Sequence, residues 1–296
     1  MHRYRCWGLH TEKKKSEKMM CTQIKRSKSP LFFKINLKTI LYNLRKSLWS
    51  IVSILIFLVV WQTIAMTGIF PPYLFPPIPF VANAFRELTL GGFTAFTLWE
   101  NIWASMQRVL LGFIIAMVTG ISLGILMGWY RKFDQLIDPI FEIFRPIPPI
   151  AWIPLAILWF GIGEASKIFI IWIGSFIPCL INAYVGVKTV DPILIKAAKT
   201  LGAKDKHIFR EVVIPSSIPQ IIGGLRIAIG SAWACVVAAE LIAATKGLGF
   251  MLMIAREWIR ADIMVCGMIT IGIIGYFFDY CMKRLQIYVA PWLKRV

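Results

Sequence analysis

The sequence contains few charged residues for its length. Only 16% of its 296 residues are Asp, Glu, Lys or Arg, whereas 58% are hydrophobic. Soluble globular domains usually carry about 25% charged residues, because their surfaces must be hydrated. The composition therefore excludes a soluble domain as the main body of the chain and indicates a membrane protein.

Motifs for nucleotide hydrolysis and for other catalysis are also missing. The sequence has no GxxxxGK[ST] phosphate-binding loop, so the chain cannot hydrolyse ATP by itself. Its soluble stretches contain no Ser/His/Asp, Cys/His or paired-carboxylate arrangement, which argues against an enzyme. The six cysteines and three histidines lack metal-like spacing, so we expect no metal or other cofactor on this chain.

Acidic residues are scarce where the positive charge is concentrated. Residues 1–47 contain thirteen Lys and Arg against two Glu, which supplies +11 of the formal net charge of +18. A basic leader before the first apolar segment is typical of a cytoplasmic terminus and can be attracted to anionic lipid. This placement excludes a nucleic-acid patch, and we expect disorder through about Pro30.

Six apolar segments are long enough to cross a bilayer as helices, which predicts an all-α polytopic protein. With six spans and basic flanks, both termini are expected in the cytoplasm. The spans are Leu48–Thr67, Val109–Tyr130, Pro139–Phe160 with a break at Arg145–Pro149, Ile168–Val187, Ile218–Ala244 and Ile263–Met282.

The chain divides into four regions by charge and apolarity. Residues 1–47 form the cytoplasmic leader, 48–98 the first span and an external Pro-rich segment, 99–285 the main transmembrane domain, and 286–296 a cytoplasmic tail. In the second span, Gly120, Gly124 and Gly128 recur on one helix face. We expect them to let another helix approach closely, with a flexible gating face as the alternative.

Charged residues inside the predicted spans are candidates for a translocation path, because burying a charge in a membrane is costly. Arg145 lies at the break in the third span. Arg226 and Glu240 share a face of the fifth span with Trp233, so this face is expected to line a path. The alternatives are that Arg226 snorkels or pairs with Asp279, and that Glu240 bonds a neighbouring helix.

The stretch 191–215 is the main soluble segment between spans. Asp191 and Pro192 predict a helix start, and Gly202 predicts the left-handed residue that ends the helix near Leu201. A second basic, amphipathic segment, Asp205–Val213, is expected to run until Ile214-Pro215 turns the chain.

This stretch resembles the cytoplasmic loop of ABC-importer permeases. The family pattern is Glu-Ala-Ala, three residues, Gly, nine residues, then apolar-x-apolar-Pro, and here Lys196 takes the place of the Glu. The matching positions are Ala197, Ala198, Gly202, Val212, Ile214 and Pro215. The run RPIPPIAWIPLAILWFGIGEASKI, residues 145–168, is similar to the nitrate, sulfonate and taurine branch of these permeases.

The resemblance implies a type I importer fold whose cytoplasmic coupling helix docks on an ATPase subunit that carries ATP and Mg²⁺. It also implies an external substrate-binding protein, a second permease copy, a bacterial-type inner membrane and a small anionic solute such as a sulfonate, taurine, nitrate or bicarbonate. A secondary transporter or channel, and a membrane scaffold that does not transport, are the alternatives to an importer.

Overall fold

The computed structural model describes residues 37–69, 71–91, 93 and 95–289, with side chains from residue 48 onward except that of residue 50. The chain divides into two units, residues 1–63 and 64–296. The disorder predicted through about Pro30 lies outside the described residues, as does most of the predicted C-terminal tail.

The described residues are helical throughout, with short connections. Besides α-helices, the described residues contain a 3₁₀ turn at Pro149–Trp152 and a π turn at Phe209–Val213. The α-helices are α1 (Leu37–Met66), α2 (Ile78–Leu90), α3 (Leu98–Trp129), α4 (Arg131–Phe144), α5 (Ile153–Phe160), α6 (Glu164–Lys188), α7 (Pro192–Thr200), α8 (Asp205–Ile208), α9 (Ile214–Ala243), α10 (Leu248–Glu257) and α11 (Ala261–Val289).

Four helical runs in the described residues are long and apolar enough to cross a membrane: α3, α6, the continuous run Asp205–Ala243, and α11. A fifth span results if α4 and the segment Pro149–Phe160, which meet at an angle of 86°, are counted together. The apolar part of α1, Ile51–Met66, is shorter than these four. The all-helical membrane fold is confirmed, and six spans remain a prediction.

Helix α3 begins at a capping box and packs along α6. The Thr97 backbone N–H donates to Glu100 Oε2 at 2.8 Å, and the Glu100 N–H donates to the Thr97 hydroxyl at 3.4 Å, which satisfies two donors that a helix start leaves free. A Cβ on Gly120, Gly124 or Gly128 would lie 2.4–2.8 Å from α6 atoms. These glycines therefore bring the two helix backbones into contact, which is how membrane helices gain packing energy.

The broken span starts earlier than the sequence reading placed it. The expected start at Pro139 is wrong, because α4 begins at Arg131 and includes Pro139. Its apolar side chains recur at helical spacing between Asp134, Asp138 and Glu142, so the charges lie on one face of a helix. The predicted break is present, since regular helix stops at Phe144 and resumes at the Pro149 turn.

The fifth span also begins earlier than expected. Ile214-Pro215 does not turn the chain, because Pro215 lies inside a helix that runs through this position. Helix α8 joins α9 through the π turn, so residues 205–243 form one helical run.

Candidate functional site

The segment 191–213 forms an ordered, helical knob between α6 and α9. Asp191 Oδ1 accepts the Ile193 backbone N–H at 2.8 Å, which caps the start of α7. Gly202 has φ of +80°, and the N–H groups of Gly202 and Ala203 donate to the carbonyls of Lys199 and Ala198 at 2.9 and 3.1 Å. This is the Schellman arrangement, which satisfies carbonyls left free at a helix end.

The knob is attached to the spans by a small hydrophobic cluster. Ile208 and Val213 are buried against Val187 and Val190 at the end of α6, and Ala198 and Val212 pack at its edge. The ring centroids of Trp129, at the end of α3, and Phe209 are 5.2 Å apart. Displacement of the knob is therefore resisted by packing against the ends of two spans.

The residues predicted to carry docking share this knob and differ in exposure. Lys196, Ala197, Gly202 and Pro215 are exposed, whereas Ala198, Val212 and Ile214 are half-buried. Exposed positions are available to another subunit, whereas Ala198 and Val212 hold α7 against the segment that follows it. Ile214 and Pro215 belong to the start of α9.

Glu240 lies in a buried polar network at the other end of α9. Its side chain is 0% exposed. Oε1 accepts from Arg108 Nη1 at 2.6 Å, and both carboxylate oxygens lie 2.8 Å from Ser105 Oγ. Arg108 also forms a bidentate pair with Glu164, at 2.6 and 2.8 Å. The network thereby joins α3, α6 and α9, and its buried charges are paired.

The same network holds the start of α10. The N–H of Gly249 donates to Glu240 Oε2 at 2.9 Å, that of Leu248 to Ser105 Oγ at 3.0 Å, and that of Gly247 to Asn101 Oδ1 at 2.9 Å. These are the donors that a helix N-terminus leaves unsatisfied, and a carboxylate there is favoured by the helix dipole. Glu240 thus bonds neighbouring elements, which was the alternative reading of this residue.

Sequence reasoning missed Arg108, Ser105 and Glu164. Arg108 directly precedes the uncharged span that begins at Val109. A cation and carboxylates at the ends of three different apolar segments were the available signal, because charges at such positions require partners.

Arg226 pairs with Asp279 of α11. Its Nη2 donates to Asp279 Oδ2 at 2.8 Å, and its Nε donates to Oδ1 of the same carboxylate. Trp233 is buried and donates its indole N–H to the Ile271 carbonyl at 3.0 Å. The predicted stripe on α9 is therefore not one open face, since Arg226 is exposed while Trp233 and Glu240 are packed inside.

Arg145 lies at the exposed break between α4 and α5, with its Nη1 3.0 Å from Glu142 Oε1. Beside it is an apolar cavity of about 280 Å³ between the broken span and α6. Aromatic rings form much of its wall: Phe141, Phe144, Trp152, Phe169, Trp172 and Phe176. Arg145, one of the charges predicted to line a path, therefore borders an open apolar cavity.

Two cations that flank α10, Arg260 and Lys246, lie near carboxylates. Arg260 Nη2 is 2.8 Å from both Glu87 Oε2 and Asp262 Oδ2, and these bonds raise the pKa of the guanidinium. Lys246 Nζ lies 3.8 Å from Glu100 Oε1. Paired in this way, these two cations are compatible with the predicted topology, which places this region outside the cytoplasm. Residues 37–289, as far as the structure describes them, contain no group of three metal-ligating side chains.

The arrangement matches a known family of transport proteins. Residues 120–295 match the family described as "Binding-protein-dependent transport system inner membrane component". The chain belongs to this family. The permease is 40% identical to the taurine transport system permease protein of Escherichia coli K12, over 82% of its own length and 89% of that protein. It is 34% identical to the bicarbonate transport system permease protein of Synechocystis, over 81% and 88% of the two chains.

The fold is also similar to that of a solved importer. The permease superposes on a chain of the MetNI methionine ABC transporter, in an inward-facing conformation, with a TM-score of 0.58. Sequence identity is 20%, and the match covers 65% of this chain and 95% of that one. This likeness supports the type I permease fold of the chain.

Proposed function

We propose that this permease forms, as a pair of identical copies, the membrane path of an ATP-driven importer for a small anionic solute. An ATP-binding subunit, with ATP and Mg²⁺, supplies energy from the cytoplasmic side. An external binding protein delivers the solute, and both permease termini lie in the cytoplasm.

The observation that carries this proposal is the attachment of the knob 191–213 to the ends of α3 and α6. Within the knob, Ile208, Val213 and Phe209 pack on the ends of α3 and α6. A partner that moves α7 therefore also moves the spans. A loop that served only as a solvated connection would need no such packing.

The broken span supports a second copy. Helix α4 has no buried residue, and Arg145, Pro146 and Pro148 at the break are exposed. Backbone that leaves regular helix inside a membrane must be covered by protein or face a water-filled path. Two copies meeting around this break would supply both, and would place Arg145 where an anion passes.

The anionic class of the solute rests on the relatives. Those transport taurine and bicarbonate by name. Arg145 is consistent with an anion, because a guanidinium binds sulfonate-like and carboxylate-like oxygens in bidentate fashion.

Reconstitution tests the proposal. The permease, its ATP-binding subunit and its binding protein are placed together in liposomes, and uptake of radiolabelled taurine, alkanesulfonate and bicarbonate is measured with and without ATP. We expect concentrative uptake of one of these anions that needs all three components. Saturable, concentrative uptake by the permease alone would contradict an ATP-driven importer and would support a secondary transporter.

A further inference from the structure

The free surface of α7 combines an apolar stripe with an uncompensated cation. Ile195 and Ala198 turn inward and pack on the cluster that holds the knob. Ile193 and Leu201 turn outward and are 70% and 88% exposed. At about 100° per residue, Lys196 lies roughly 60° from Ile193 around the helix axis, at the edge of this stripe. An exposed apolar stripe with a charged rim is the pattern of a protein interaction site.

Residues 191–213 contain five Lys and Arg against three carboxylates, so the knob keeps a net positive charge. Of the carboxylates, Asp191 is occupied by the N-terminus of α7, Asp205 lies 3.5 Å from Lys199 Nζ, and Glu211 is exposed in the π turn. Within the part of the chain that the structure describes, the Lys196 ammonium forms no hydrogen bond or ion pair with another side chain. Lys204 and Lys206 extend the same exposed, basic surface.

We infer that this surface selects an ATP-binding subunit whose docking groove is apolar at its floor and carries a carboxylate at its rim, facing Lys196. The inference rests on the proposed function and adds the chemistry of the partner. Burying Ile193 and Leu201 supplies affinity that does not discriminate among grooves. A carboxylate opposite Lys196 supplies selectivity, because a lysine or arginine there would be repelled and an apolar group would leave the ammonium desolvated.

The test compares charge variants of the full-length permease in lipid nanodiscs. The binding partner is the ATP-binding subunit identified by its phosphate-binding loop after co-purification with the tagged permease. Lys196→Gln removes the charge and Lys196→Glu reverses it. Lys132→Glu is the matched control, because Lys132 is an exposed lysine in the first turn of α4, outside residues 191–213.

We expect Lys196→Glu to weaken binding about tenfold or more, Lys196→Gln to weaken it less, and Lys132→Glu to leave it unchanged. Added salt should weaken binding of the wild type more than that of Lys196→Gln, because salt screens the charge pair. Replacing the facing carboxylate of the partner by lysine should restore binding to Lys196→Glu.

Two failures are distinguishable. If the wild-type permease recruits no ATP-binding subunit at any salt concentration, the proposed function is wrong. If the subunit binds and Lys196→Glu binds as tightly as wild type, the proposed function stands and the acidic rim is wrong. Intact folding of each variant is checked by its melting temperature, since an exposed lysine on α7 has no packing role in the permease itself.

Discussion

Arg108 of α3 and Glu240 of α9 are 132 positions apart in the chain, and their side chains meet at 2.6 Å in a buried network. The carboxylate caps α10 while the guanidinium reaches on to Glu164 of α6. One arginine therefore links three spans and the start of α10.

Arg108→Gln should destabilise the permease strongly. The change leaves Glu240 buried without its cation, and removing one partner of a buried ion pair typically costs about 3–5 kcal/mol. Thermal unfolding in detergent measures the loss. Lys199→Gln is the control: its pair with Asp205 is exposed in the soluble segment 191–213, so it should lower the melting temperature much less. Equal melting temperatures for the two variants would contradict the central role of Arg108.

Gly247→Ala should loosen the start of α10. Gly247 has φ of +134°, and a Cβ there would lie 2.4 Å from the Glu240 carboxyl carbon. We expect faster hydrogen exchange in Leu248–Glu257 and a lower melting temperature. Gly230→Ala is the matched control, because no atom lies within 4 Å of its added Cβ and alanine favours a helix interior. If both variants exchange like wild type, the tight approach of Gly247 to Glu240 is not required.

Gly202→Val should uncouple ATP hydrolysis from transport while the spans stay folded. Valine disfavours φ of +80°, and the strain is about 1–2 kcal/mol, enough to displace α7 from the segment after it. Membrane insertion, binding of the ATP-binding subunit and uptake are measured together. Gly202→Asn is the control, because asparagine tolerates the left-handed conformation. Unchanged binding and uptake with valine would show that the knob does not transmit force.

Exchanging the charges of Arg226 and Asp279 separates a structural role from a role in the path. Arg226→Asp alone should reduce insertion and uptake, because it opposes two carboxylates in neighbouring helices. We expect the double variant Arg226→Asp/Asp279→Arg to recover both, since the pair is restored. Recovered insertion without recovered uptake would instead assign Arg226 a direct contact with the solute.

Topology is tested by labelling cysteines introduced one at a time into a variant without the accessible native cysteines. Leu90→Cys at the end of α2 should react with an impermeant reagent added from outside, and Leu201→Cys should react only after permeabilisation. Both leucines are highly exposed, at 75% and 88%, so reactivity reports sidedness. Labelling of both sites from outside would overturn the arrangement with cytoplasmic termini.

Features set by neighbouring residues could be predicted from the sequence. The α7 start at Asp191, the left-handed Gly202 and the break after Arg145 each depend on a few adjacent positions. The close approach of α3 and α6 was also visible, because glycines spaced by four residues leave one helix face without side chains.

Contacts between side chains that lie far apart in the sequence could not be predicted. Nothing local to Glu240 shows that its carboxylate meets Ser105, 135 positions away, rather than an open path. The local sequence also misplaces the start of the fifth span: Ile214-Pro215 predicts a turn, yet Pro215 lies inside the continuous helical run 205–243.

The continuous helical run from α8 to α9 connects the knob to the buried network around Glu240. Ile208, the buried residue of the knob that packs on α6, and Glu240 are separated by roughly 48 Å along an ideal helix. A tilt of this helical run by about 5° about Ile208 would move Glu240 by about 4 Å, which is more than the length of a hydrogen bond. In the proposed importer, a small tilt imposed at the knob would therefore reach Glu240, which would either carry α10 and Arg108 along or release them.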